Sequence, residues 1–284
     1  NMPLGPGDIV RTTDARRTEI QFDNGTLIRL DYDSELKIET ILAPSLTSLE
    51  NVSNAVLSKG RAYVMYTEYD RRELFQILTP SAALKMKNHT VAEISAAPEG
   101  GTSVRVSNGR VDVLFGPAAK KVEGEKVRAG ESLVVTADGR LDRGALPAST
   151  DFEAWNKSLN EDFEKTHDGL TPLPKPIQKM PKAVFYFAQK YSTTYGEWIW
   201  DEYLGYVWRP NVNDRRYPWG SWSPYYAGQW AWRDGRMFWV AQEPWGWIPF
   251  HLGVWHWDKN KGWLWIPGSA FAPAWVTWNF YGGS

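Results

Sequence analysis

Indole is the largest side chain a fold has to place, and this chain concentrates it: 16 of its 17 Trp lie between Trp198 and Trp278, with Trp155 alone outside. The stretch is a degenerate repeat. Trp222-Ser-Pro-Tyr-Tyr-Ala-Gly-Gln-Trp230-Ala-Trp232 returns 25 positions later as Trp247-Ile-Pro-Phe-His-Leu-Gly-Val-Trp255-His-Trp257. A shorter element, aromatic-x-Trp-x-Pro, appears at Tyr206-Val-Trp208-Arg-Pro210, Trp245-Gly-Trp247-Ile-Pro249 and Trp263-Leu-Trp265-Ile-Pro267. Residues two apart in a strand share a face, so each Trp-x-Trp pair presents two indoles side by side. Polar turns at Arg233–Arg236 and Asp258–Gly262 separate the pairs. The pattern predicts antiparallel hairpins whose units complete one another's core, and it places Trp230, Trp232, Trp255 and Trp257 in that core.

The other half reads differently. Short period-2 segments run from Arg17 to Phe22, Thr26 to Leu30, Ala62 to Tyr66, Leu74 to Leu78, Val91 to Ser95, Ser103 to Val106, Arg110 to Phe115 and Ser132 to Thr136. Asn-Gly occurs between alternating runs at Asn24-Gly25 and Asn108-Gly109, and that dipeptide supplies the positive φ angles of a tight hairpin turn. Two hairpins are expected there, in an all-β sandwich, roll or β-helix-like domain.

Helix periodicity closes this half. Phe152, Trp155, Leu159 and Phe163 fall at helical spacing behind a capping box, Thr150-Asp151-Phe152-Glu153. Prolines at 172, 174, 176 and 181 then favour an extended, semi-rigid linker or strap. The expected organisation is a β domain over 1–150, a closing helix over 151–165, a Pro-rich linker over 166–182 and a Trp-rich repeat β domain over 183–284.

The formal net charge of −1 offers no excess of Lys and Arg to hold phosphate backbone or an anionic membrane, so a nucleic-acid partner is not expected. Zero Cys excludes a disulfide framework, a thiolate nucleophile and thiolate metal sites. No apolar stretch approaches the roughly 20 residues of a membrane span, and no signal segment opens the chain, so any such segment has been removed before Asn1.

From Gly7-Asp-Ile-Val10 through Asn24-Gly-Thr-Leu27, Leu78-Thr-Pro80, Val106-Ser-Asn-Gly-Arg-Val111 and Val127-Arg-Ala-Gly130, the chain resembles the FecR-type domain of bacterial envelope proteins, over about Gly7 to Leu141. Where that pattern usually carries a Gly before the next strand, this chain has Asn88-His89. From Tyr195-Gly-Glu-Trp198 through Trp208-Arg-Pro210, Pro244-Trp-Gly-Trp247 and Ala272-Pro-Ala-Trp275, it is similar to an uncharacterised Trp-rich region that often follows a FecR-type domain in secreted bacterial proteins. The resemblance implies an all-β, β-helix-like first domain outside the cytoplasm. The signalling role known for FecR proteins needs a cytoplasmic sigma-factor-binding segment and a membrane span. Neither is read here, so that role is not expected.

The residues offer little chemistry. His251 and His256 occupy the repeat slots of Tyr226 and Ala231, and His89 and His167 stand alone, so neither a metal site nor a general base is expected. Asp31-Tyr-Asp33-Ser-Glu35 lacks the Gly and the distant Glu of a calcium loop and reads as a solvated turn. No phosphate loop or nucleophile elbow appears, which leaves an enzyme, a hydrolase for instance, without residue support. Aromatics remain. Because not every indole can be buried in so short a segment, some rim the surface, where Trp and Tyr beside Arg suit sugar rings, Pro-rich peptides or another copy. The longest polar connection holds Arg215, Arg216, Tyr217, Trp219 and Trp222, which are the candidate binding residues. The expected function is a non-catalytic, cofactor-free structural or interaction protein of the bacterial periplasm or cell surface that docks to an envelope protein or self-assembles. The alternative is a carbohydrate or cell-wall binding module.

Overall fold

The computed structural model describes residues 4–22, 26–45, 49–68, 73–115, 123–144, 150–167, 173–180, 182–212, 222–233 and 235–276. It divides into two compact units, residues 4–159 and 160–284.

The first unit is a single sheet of β1 (Ile9–Arg11), β2 (Thr18–Gln21), β3 (Leu27–Leu30), β4 (Glu35–Pro44), β5 (Asn51–Tyr66), β6 (Glu73–Leu78), β7 (Ala82–Ala96), β8 (Thr102–Phe115), β9 (Glu123–Arg128), β10 (Ser132–Val135) and β11 (Leu141–Asp142). β5, β7 and β8 are long because each turns a corner. In β5 the buried side chains are odd-numbered up to Leu57 and even-numbered from Ala62, with Gly60 at φ +89° between them. The first half of β5 pairs with β4 and runs parallel to β6, and the second half pairs with β3 and β7. An extra residue at the bend moves every later side chain to the opposite face, so a strand that changes direction can keep filling one core.

The same device corrects one expectation. Asn108-Gly109 does not close a hairpin: it lies inside β8, whose buried positions switch from Val104 and Val106 to Val111 and Val113 across it. Gly109 holds φ +74°, and a Cβ there would overlap the carbonyl oxygen of His89 and lie 2.8 Å from Thr90 Oγ1. Opposite it, Asn88 takes φ +57°, the left-handed conformation that Asn tolerates best after Gly. The departure from the usual Gly therefore preserves the bend. The core enclosed is mostly aliphatic, with Ile28, Leu30, Leu57, Val64, Ile77, Leu84 and Ile94 fully buried, and Phe75 takes Tyr66 stacked at 5.0 Å and Phe22 edge-on at 5.8 Å.

Helix α1 (Asp151–His167) begins where the capping box places it, with Thr150 Oγ1 accepting from the Glu153 amide at 3.3 Å. Its first turns dock on the sheet through Phe152, which is fully buried, and through charge. Arg17 Nε donates to Asp31 at 2.7 Å and its Nη2 to Asp151 at 2.5 Å, Arg61 pairs with the same Asp31, and Arg105 joins Glu93 and Glu153, each at 3.1 Å. Asp31 is thus no solvated turn residue. It is buried because two guanidiniums neutralise it, the condition under which a carboxylate can leave water.

The second unit opens with α2 (Lys175–Gln178), α3 (Lys182–Phe187), a π-helical turn (Ala188–Ser192) and α4 (Thr193–Tyr195). Of the Pro-rich linker or strap expected over 166–182, the described part is not extended: Lys175–Gln178 form α2, and Ile177 is buried. Pro174 caps α2 and Pro176 sits in its first turn, where a missing N–H breaks no helical bond. Val184, Phe187 and Ala188, spaced three and four apart, are the buried stripe. Beyond them, β12 (Gly196–Asp201), β13 (Gly205–Pro210), β14 (Gly228–Arg233), β15 (Arg236–Ala241), the short helix α5 (Trp247–His251), β16 (Leu252–Asp258) and β17 (Gly262–Phe271) make three hairpins. Two of them join as a four-stranded sheet, β12-β13-β17-β16, and β14-β15 is a separate ribbon. The protein is mainly β, with the first unit a roll and the second a Trp-rich set of hairpins.

Replacing Gly109 by Ala should cost about 2–4 kcal/mol, the left-handed backbone and the overlap with His89 acting together. Asn88→Gly should lie within about 0.5 kcal/mol of the parent, because the position is already left-handed. Urea unfolding of the two variants decides it, and equal losses would mean that the bend is not set by these residues.

Candidate functional site

The working repeat is a hairpin rather than the longer segment. Trp198-Ile-Trp200-Asp201…Gly205-Tyr206-Val-Trp208-Arg-Pro210 and Trp255-His-Trp257-Asp258…Gly262-Trp263-Leu-Trp265-Ile-Pro267 match position for position, and Trp230-Ala-Trp232…Met237-Phe-Trp239 is a third version with a shorter turn. In each, two cross-strand pairs share a face: an inner pair, Trp198 with Trp208, Trp255 with Trp265 or Trp230 with Trp239, and a pair beside the turn, Trp200 with Tyr206, Trp257 with Trp263 or Trp232 with Met237.

The inner pairs build the core. Trp208 and Trp265 are fully buried and lie opposite one another, and Phe187 from α3 sets its ring edge-on against both at 5.0 Å. Three indole N–H groups of this row find acceptors: Trp208 donates to the Ser192 carbonyl at 2.8 Å, Trp265 to the Leu252 carbonyl at 2.7 Å, and half-buried Trp198 to Ser192 Oγ at 2.8 Å, whereas the buried Nε1 atoms of Trp239 and Trp255 meet none among the described residues. Trp230 and Trp255 are half-buried and pack against this cluster.

The pairs beside the turns fall outside it. Trp200 is 61% exposed, Trp232 68% and Trp257 53%, so Trp232 and Trp257 are corrected from core to surface. Their Trp-x-Trp partners reach the cluster, and one step of two residues, close to 7 Å along a strand, carries the second indole past it. The tips themselves are firm. Asp201 Oδ1 accepts the amides of Tyr203 and Leu204, Asp258 Oδ1 those of Asn260 and Lys261, and Lys261 Nζ meets Asp201 Oδ2 at 2.6 Å. That ion pair and those amides hold the Asp201 carboxyl at about 2. Tyr203, at the first tip, is 94% exposed.

Of the sequence-selected binding residues, Arg215, Arg216, Tyr217 and Trp219 lie outside the described residues. Trp222 is overturned as a surface residue. It is 2% exposed, its Nε1 donates to Glu243 Oε1 at 2.8 Å, and it stands edge-on to Trp255 at 5.4 Å. Burial raises the Glu243 carboxyl above its ordinary value. Trp200, Tyr203, Tyr206 and Trp263 were passed over as site candidates; the signal that could have found them is the Asp-x-x-x-Gly spacing shared by the two tips. His251, which shares its slot with Tyr226 in the longer repeat, is buried in α5 with Nδ1 2.9 Å from the Ala272 carbonyl and Nε2 3.1 Å from that of Trp239. Its ring sits 4.1 Å from Trp247. Among the described residues no three His, Asp or Glu come together as a metal would require, and no helix is long and apolar enough to cross a membrane.

Trp265→Ala should cost about 3–5 kcal/mol and Trp232→Ala less than about 1, since only the first leaves a cavity. A large loss at Trp232 in thermal or urea unfolding would return that residue to the core. Burial lowers the His251 pKa, so the folded protein binds its proton less readily than the unfolded chain does. Stability from this residue is therefore complete above the unfolded value, near 6.5, and is lost as pH falls through it. The raised Glu243 works in the opposite sense, and the comparison that isolates His251 is the parent against His251→Gln. Trp fluorescence should show a flatter fall in stability between neutral and mildly acid pH for the variant, and parallel pH profiles would refute the assignment.

Residues 8–112 match the FecR protein family, and residues 189–283 match a family of unknown function, DUF6600. No curated protein matches the chain. Two crystal structures of a candidate anti-sigma factor from Parabacteroides distasonis ATCC 8503 align over 83% of this chain and 99% and 100% of theirs, at 15% and 14% identity and TM-scores of 0.41 and 0.40. A likeness of that grade carries no inference for this protein. The two family matches locate the two halves by themselves: a region that matches the FecR family is followed by one that matches DUF6600.

Proposed function

We propose that the protein is a non-catalytic component of the bacterial envelope or extracellular space, in which the FecR-type unit is a scaffold and the Trp-rich unit docks to an envelope component. The observation that carries this reading is the exposed indole beside the turn of each hairpin, at Trp200, Trp232 and Trp257. Folding gains little from an indole left in water, so the same choice made three times in one chain supports contact with something else. The FecR match supports an envelope setting. Arg215, Arg216, Tyr217 and Trp219 are proposed as contact residues on their chemistry, because guanidinium and indole together can stack on a partner and fix its orientation.

The full chain should co-sediment with purified cell-wall sacculi or outer-membrane vesicles, or self-associate in light scattering as its concentration is raised. A chain that stays monomeric and unbound to every fraction would overturn the reading. Within it, the double change Arg216→Ala and Trp219→Ala should lower that association while leaving the thermal midpoint nearly unchanged; a large fall in the midpoint would make both residues structural.

A further inference from the structure

The sheet of the first unit has a cavity of about 250 Å³ on its outer face, lined by Glu93, Ser103, Arg105, Ser132, Val134 and Asp142. Strand register puts these side chains together. Glu93 stands opposite Arg105 and Arg105 opposite Ser132, while in the neighbouring row Ser103 stands opposite Val134 and Val134 opposite Asp142. Residues directly opposite one another project to the same side of a sheet, and the alternate residues Val104, Leu133 and Val135 are buried in the core, so both rows point outward. The first row is tied down. Arg105 Nη2 donates to Glu93 Oε1 and its Nη1 to Glu153 Oε2 of α1, each at 3.1 Å, and Ser132 Oγ donates to the Gly144 carbonyl at 2.9 Å. The second row is not. Among the described residues the side chains of Ser103 and Asp142 make no hydrogen bond or ion pair, and Val134 between them is 38% exposed.

We propose that this cavity binds a primary ammonium group carried on a short apolar stem. Glu93 and Asp142 line it against a single basic residue, and Arg105 already spends its guanidinium on Glu93 and Glu153. An anion would therefore meet carboxylates with no free cation to receive it. Burial raises the Glu93 carboxyl above its ordinary value, although Arg105 and Arg61 act the other way. The guanidiniums thus fall short of offsetting the loss of water around it, and a further positive charge at the cavity is favourable. Asp142, exposed and without an ion pair, supplies the counter-charge, and the Ser103 hydroxyl accepts an N–H of the ammonium. The stem lies along Val134. The volume is many times what one water needs, which leaves room for several carbons. A bare metal ion is poorly served, since among the described residues no three His, Asp or Glu come together. The site belongs to the FecR-type unit and stands independent of the docking role proposed for the indoles.

Isothermal titration of the full chain with cadaverine and with Nα-acetyl-lysine methylamide tests the site, the first as a free amine and the second as a lysine side chain. At least one should bind saturably, and more weakly as salt is raised, because salt screens exposed charges. Cadaverine alone would assign a free amine, and the lysine derivative alone a side chain of another protein. Pentanol and pentanoate, which keep a stem without the ammonium, should not bind. Asp142→Asn should weaken the amine about threefold to fivefold, the worth of one exposed ion pair. Val134→Phe, which fills the cavity from an exposed position, should abolish binding with the thermal midpoint unchanged. The proposal is overturned if neither amine binds, if pentanol or pentanoate binds as tightly, if Asp142→Asn binds as the parent does, or if Val134→Phe still binds.

Discussion

Trp208 and Trp198 each take an indole N–H out of water, and the start of the second unit is arranged to accept both. Ser192 serves twice, its carbonyl accepting from Trp208 and its hydroxyl from Trp198, and the hydroxyl itself donates to the Ala188 carbonyl at 2.7 Å. Ser192 ends the π-helical turn, so the wide turn places carbonyl and hydroxyl over the inner row of the sheet. Without these acceptors, burying Trp208 would leave a donor in an apolar setting at a cost of about 1–3 kcal/mol, a large fraction of what a domain can spare. The helical segments before the first hairpin are thus part of the Trp-rich core rather than a connection to it, and Phe187 completes the contact by touching Trp208 and Trp265 together.

The first unit solves a different problem with small means. Its mostly aliphatic core brings in few donors, such as the Tyr66 hydroxyl that donates to Glu73 Oε2 at 3.2 Å, but its long strands must bend and still present alternate residues inward. Gly60, Asn88 and Gly109 do this with positive φ angles, and the odd-to-even switch in β5 and the even-to-odd switch in β8 follow. Its charged network gathers at the start of α1. Arg17, Arg61 and Arg105 bridge sheet carboxylates to Asp151 and Glu153 of α1, while the Arg17 guanidinium also lies 4.3 Å from the Tyr32 ring centre. Since removing one member would strand the buried Asp31, the network fixes where the helix begins more than it adds net stability.

Much of this was legible in the amino-acid order. Alternation in β5 through β8, the capping box of α1 and the hairpin pairing of Trp230 through Trp257 come straight from residue spacing. What misled was equally local. Asn-Gly signals positive φ and no more: between free strands it makes a hairpin, and inside strands paired along their length it makes a corner, so Asn108-Gly109 could be resolved only by the pairing of β8 with β7. Pro174 and Pro176 read as helix breakers because their order with respect to the helix start was not visible, and in the first turn they are tolerated. Trp232 and Trp222 exchanged roles. Spacing tells which residues share a face, but how far along that face the covering elements reach is a tertiary fact, and the acceptor that draws Trp222 inward, Glu243, is 21 residues away.

That exchange bears on how a site arises from a repeat. In each hairpin one position of the Trp-x-Trp pair is held by packing and the other is released from it, because the cluster under Phe187 is only wide enough for the inner row. The facing residue shows the release plainly: it is Tyr206, Met237 or Trp263 across the three hairpins, whereas the inner row has Trp208, Trp239 and Trp265 throughout. A position where one partner varies and the indole opposite does not, although water rather than protein surrounds it, is constrained by something other than the core. Rigid tips then matter more than burial. Asp201 and Asp258 close their turns with the same pair of backbone amides, and the Lys261 bridge ties one turn to the other, so the exposed rings are held at fixed positions before any partner arrives. Such preorganisation spares a weakly held ligand the ordering cost that would otherwise cancel a few stacking contacts.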